Sequence, residues 1–84
     1  MGYNRGMAEF NAADLQPGEV RTKENGERLG RSAGGHLVQL RRRVSGPGFA
    51  VTVDAEPRPG VPTEMLTLEW ASANAAFDRF MRTF

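Results

Sequence analysis

Three consecutive arginines, Arg41, Arg42 and Arg43, sit inside "HLVQLRRRVSGPGFAVTVD", residues 36–54, and they dominate the chemistry this 84-residue chain can do. A guanidinium presents a rigid fork of donors that suits bidentate contact with phosphate or carboxylate. If residues 36–44 form a strand, alternation puts Arg41 and Arg43 on one face and Arg42 on the other, with Val38, Leu40 and Val44. A guanidinium on an apolar face must reach water or an acid. Arg42 is therefore expected at the end of the sheet, its methylenes over apolar surface and its head in water or against an acid such as Asp78. The charge is uneven along the chain. Residues 21–43 carry seven basic side chains against Glu24 and Glu27, a net +5, whereas residues 1–20 and 44–84 each carry −2. A basic middle between acidic ends is either an anion-binding patch or internal charge complementarity. Ten of the eleven basic residues are arginine, but Ala, Gly and Pro are also abundant, as in a GC-rich coding sequence. The partner-binding candidates are Arg21, Arg28, Arg31, Arg41 and Arg43.

Other chemistry has little to build on. His36 is the single histidine and reads as a surface residue at a strand start; the chain holds no cysteine, so thiolate zinc sites, disulfides and thiol catalysis are excluded. Asp54 and Glu69 are acids that strands can bring together, and ion pairs with Arg41 or Arg43 are the expectation for them. "GRSAGG", residues 30–35, lacks the lysine and following Ser/Thr of a phosphate loop and precedes a strand instead of a helix. No catalytic group, metal site or cofactor site emerges, and the expectation is a protein that is not an enzyme.

The elements that must position these residues are legible in places. In "ASANAAFDRFMRTF", Phe77, Phe80, Met81 and Phe84 recur at helical spacing, and Ala73 and Ala76 extend the stripe. Ser72 is the candidate N-cap. "EMLTLEW" alternates, and the expectation places Leu66, Leu68 and Trp70 on the buried side. "GFAVTVD" alternates with Phe49, Val51 and Val53 inward. "SGPG", residues 45–48, makes a short hairpin connection, and the three prolines of residues 55–63 make a longer surface loop. Asn25-Gly26 signals a type I′ hairpin between Val20–Glu24 and Glu27–Arg31, and "RSAGG" breaks the chain before the next strand. Phe10, Ala13 and Leu15 suggest one helical turn, capped by Asn11 and ended by Pro17-Gly18; Met1–Gly6 reads as frayed.

The sum is an α+β fold: a four- to five-stranded antiparallel meander with one C-terminal amphipathic helix on one face. Residues 1–18 form an irregular N-terminal segment and residues 19–84 a single small domain. The expected core is Val38, Leu40, Val44, Phe49, Val51, Val53, Leu66, Leu68, Trp70, Phe77, Phe80, Met81 and Phe84. The opposite face, with Gln39, Arg41, Arg43, Thr52, Asp54, Thr67 and Glu69, meets water or a partner. In size and style alone, with no motif, the chain resembles small accessory proteins of phages and mobile elements, some of which inhibit bacterial defence machinery by binding it. That resemblance implies function by macromolecular contact. The expected partner is a protein with an acidic surface; the alternative is nucleic acid held by the arginines of residues 21–43. No apolar run suits a membrane, a cytoplasmic address is the default, and edge-to-edge pairing as a homodimer is open to a meander.

Overall fold

The structure is a computed structural model and describes residues 14–84. Apart from Asp14 and Leu15, the expected helical turn around Phe10, Asn11 and Ala13 lies outside the described residues, as does Met1–Gly6. Five strands run in order: β1 (Val20–Thr22), β2 (Arg28–Arg31), β3 (Leu37–Arg42), β4 (Phe49–Val53) and β5 (Glu64–Thr67). Each pairs antiparallel with the next, so sheet order follows chain order. The helix α1 (Trp70–Thr83) lies across one face. The α+β meander is therefore as the sequence indicates. Among the described residues, no helix is long and apolar enough to cross a membrane.

Short connections make the meander. Gly26 N–H donates to Lys23 O at 2.9 Å and Lys23 N–H to Glu27 O at 2.8 Å, with Gly26 at φ +93°. That is a type I turn followed by a left-handed glycine, a three-residue hairpin loop. No residue other than glycine has positive φ among the described residues, so the type I′ turn expected at Asn25-Gly26 does not form. Asn25 Oδ1 instead accepts from the Glu27 N–H at 3.0 Å. "RSAGG" repeats the same device. Gly35 N–H donates to Ser32 O and Ser32 N–H to His36 O, while the buried Ser32 hydroxyl accepts from His36 N–H. A stretch that reads as a break is a tight hairpin.

The core joins Val38, Leu40, Val51 and Val53 of the sheet to Ala73, Ala76, Phe77 and Phe80 of α1, with Phe49, Met65, Met81 and Phe84 at its margin. Gly30 marks the closest approach. A Cβ there would meet Met81 Sδ at 2.8 Å and Phe77 Cζ at 2.9 Å. The helix sits where it does because β2 has no side chain at that point.

Four expected core residues lie elsewhere. Val44 is 97% exposed, because β3 ends at Arg42 and Arg43 N–H bonds Gly48 O, which leaves Val44 in the connection. Leu66 and Leu68 are 52% and 70% exposed. Facing residues of an antiparallel pair share a side, and β4 pairs Val51 with Met65 and Phe49 with Thr67. Met65 and Thr67 therefore take the helix side and the two leucines the other. Trp70 is the first residue of α1, not the last of a strand, and is 41% exposed. It packs edge-on to Phe49 with ring centroids 4.9 Å apart, and its ring lies against Gly26. The helix begins there because the Thr67 hydroxyl accepts from the Glu69 N–H at 3.1 Å and Glu69 O accepts from the Ala73 N–H. Glu69, not Ser72, is the N-cap, and its side chain makes no capping bond.

Phe80 is 2% exposed, and Phe80→Ala is expected to cost about 3–5 kcal/mol. Gly30→Ala is expected to cost about 1–3 kcal/mol, because the new methyl meets ring and thioether atoms of α1. Denaturant midpoints measure both. An unchanged midpoint for Gly30→Ala would place α1 elsewhere.

Candidate binding face

The ladder assigns every strand residue to a side. The face opposite α1 carries a row Arg21–Leu29–Gln39–Thr52–Glu64 and, beside it, Arg41–Ala50–Leu66. Among the described residues no strand or helix covers it. Leu15 and Leu29 are nevertheless buried, outside the helix-side cluster.

The five candidate arginines separate. Arg41 is exposed on the open face, and Arg43 is exposed one residue past β3. Arg21 is half-buried on the open face beside Leu29. Arg31 is on that face too, but its guanidinium serves the fold: Nε donates to Leu15 O at 3.0 Å and Nη1 to Gly35 O at 2.7 Å. It ties the N-terminal segment to the β2–β3 turn. Arg28 does not join them. It pairs with Leu40 on the helix side, donates to Asn74 Oδ1 at 3.0 Å and lies 3.4 Å from Asp78 Oδ1. Its guanidinium stands 4.2 Å from the centre of the Phe77 ring, a cation–π contact. Alternation explains the correction, since residues 28 and 31 of one strand cannot share a face. The three-residue loop also matters. It pairs Arg21 with Leu29, where a two-residue loop centred on Asn25-Gly26 pairs it with Gly30 and brings Arg28 to its side.

Arg42 falls at the end of β3 on the helix side, as its parity requires. It is exposed, with its guanidinium 5.5 Å from the centre of the Phe49 ring. Asp78 is taken by Arg28 instead. The ion pairs expected for Asp54 and Glu69 with Arg41 or Arg43 do not form. Asp54 Oδ1 accepts from the Leu37 N–H at 2.8 Å and lies 3.5 Å from His36 Nδ1. That histidine–aspartate pair borders a shallow hollow with Glu56, Arg58 and Phe84. Both side chains are well exposed, at 43% and 59%.

A groove of about 330 Å³ opens over β2 and β3, lined by Lys23, Glu27, Arg28, Leu29, Leu37, Gln39, Leu40 and Arg41. Lys23 and Glu27 are the residues that sequence reasoning missed. Lys23 has the parity of Arg21 two positions on, which is the signal that places it here. Glu27 extends the sheet in place of backbone. β2 has ended where Arg42 needs a partner, and Glu27 Oε2 accepts the Arg42 N–H at 2.9 Å. Its Oε1 lies 3.4 Å from Lys23 Nζ. The Arg42 amide, with smaller help from Asn25 and Lys23, holds the Glu27 carboxyl below the ordinary carboxylate range, against partial burial that raises it. The groove thus offers three cations around leucine and glutamine, Lys23 balanced by Glu27, Arg28 shared with Asn74 and Asp78 of α1, and Arg41: a surface that takes up carboxylates set among apolar groups. Comparisons with protein-family models, with curated proteins and with solved structures return no match.

Because the folded state binds the Glu27 proton less tightly than the unfolded chain, its contribution is complete above the unfolded pKa, roughly 4.3. It is lost as pH falls through the lower folded value. The wild-type denaturant midpoint is expected to drop through that acid window, and Glu27→Gln to drop less. A variant midpoint that stays parallel to wild type would contradict the Glu27–Arg42 bond.

Proposed function

We propose that this chain is a small binding protein that acts without catalysis, holding a protein partner against the open face of its sheet. The observation that carries the reading is the Lys23–Arg41 groove, in which Leu29, Leu37 and Gln39 belong to the face that α1 leaves uncovered and Arg28 and Leu40 form the opposite border. A partner segment with acidic side chains between apolar ones matches it in charge and in apolar content. The resemblance in size and style to accessory proteins of phages and mobile elements fits inhibition by occlusion, in which a small rigid sheet covers a working surface of its target.

Nucleic acid is the second reading, and two observations weigh against it. A phosphate backbone needs several available cations, but Arg28 is held by Asn74 of the helix and Arg31 is bonded to backbone carbonyls. Single-strand binding also uses aromatic platforms. Among the described residues, the aromatic rings of Phe49, Trp70, Phe77, Phe80 and Phe84 all belong to the helix side.

The double variant Arg41→Ser/Arg43→Ser is expected to keep its denaturant midpoint, within about 0.5–1 kcal/mol for surface changes. It is also expected to lose the protein that wild type retains from host extract. Retention of every partner by the folded variant would refute the binding face. Oligonucleotide binding by wild type that weakens by roughly tenfold or more from 50 to 200 mM salt would favour nucleic acid instead.

A further inference from the structure

The two edges of the sheet are built differently. β1 is three residues long, follows Pro17-Gly18 and runs into Lys23 and Glu24. Shortness, proline and charge are the usual protections of an edge. β5, four residues long after Pro62-Thr63, differs in apolar exposure: Leu66 and, just beyond the strand, Leu68 are 52% and 70% exposed against 37% for Val20 of β1. Val53 N–H donates to Thr63 O at 3.0 Å, which marks residues 53 and 63 as a hydrogen-bonded pair. Alternation along an antiparallel ladder then turns the backbone groups of Met65 and Thr67 inward to β4 and those of Glu64 and Leu66 outward. The outward N–H and C=O of Leu66 have no partner among the described residues.

We propose that β5 pairs antiparallel with β5 of a second copy, about a two-fold axis at Leu66. In that register the two Leu66 residues exchange both backbone hydrogen bonds and face each other. Glu64 stands opposite Leu68 of the second copy and Met65 opposite Thr67. The leucines of both chains meet on the open side. A second copy fits better than an unrelated strand because of two charges on the helix side of this edge. Arg79 lies over the edge strand, its Nη2 3.8 Å from Met65 Sδ, and binds no carboxylate among the described residues. Glu69 is exposed and extended (φ −101°, ψ 125°), and its carboxylate has no bond among the described residues. Glu69 directly precedes α1, so it lies where the chain leaves the edge strand for the helix side. Since Thr67 of one copy faces Met65 of the other, Glu69 of each approaches Arg79 of its mate, and the pair forms twice. A two-fold interface demands this self-complementarity. The product is one ten-stranded sheet, twice the five of each chain, with both helices on one side and both open faces on the other. A single strand pair is small beside a standard interface, so the dimer is concentration-dependent.

Sedimentation velocity from low to high micromolar protein tests this. Wild type is expected to shift from monomer toward dimer. Leu66→Pro removes only an outward N–H, which an edge strand tolerates, and Leu66→Lys charges the edge; each is expected to remain monomeric, with circular dichroism unchanged. Arg79→Glu and Glu69→Arg are each expected to weaken the dimer at least several-fold, and the two together to restore it. Restoration by the combined charge reversal identifies the second copy and its register. A wild type that stays monomeric throughout, a dimer unaffected in the folded Leu66 variants, or a charge reversal that fails to restore association overturns the proposal.

Discussion

The contact between Phe77 and the bare backbone of Gly30 sets the geometry of the molecule. Phe77 is completely buried, and any side chain on residue 30 would occupy its place. With so few residues the apolar interior is thin, and it works only if α1 lies close to the strands. Gly30 permits that approach. Arg28, two residues earlier on the same side, closes it, laying its guanidinium on the Phe77 ring and reaching Asn74 and Asp78 of the helix. Sheet and helix are thus joined at one place by an apolar contact and a charged one.

That junction decides what the open face can be. By drawing Arg28 to the helix side, it thins the basic stripe suggested by residues 21–43. Arg31 is committed to carbonyls of Leu15 and Gly35. What is left exposed is compact: Arg41 and Arg43, with Lys23 across a groove floored by leucine. The charge excess of the middle segment is therefore partly internal complementarity and partly an available surface, divided by strand parity.

Elements with one clearly apolar side were legible in the sequence. The stripe of Phe77, Phe80, Met81 and Phe84 and the alternation of β3 and β4 place their own faces, because burying the wrong side costs too much. β5 was not legible, since Met65 and Leu66 are both apolar and either side satisfies the pattern. Its orientation comes from β4, which brings Met65 beside Val51, and a slip of one residue reverses every side chain. Trp70 was misplaced for a related reason. Period-two spacing from Leu68 continues into it, but the Thr67 hydroxyl turns the chain and starts the helix. In the β1–β2 hairpin the apolar content is too low to mark a face, so loop length settles the matter. Lys23 and Glu27 gain their roles from that same loop.

The division of the arginines between two faces is the central claim, and the environment of Phe77 reports on it directly. Proton nuclear Overhauser spectroscopy of the folded protein should show contacts from the Phe77 ring to the Gly30 α-protons and to the Arg28 side chain. Those protons should also shift upfield under the ring. Contacts from Phe77 to Leu29 or Arg41 instead would mean that the sheet presents its other face to the helix, and the binding face described above would not exist.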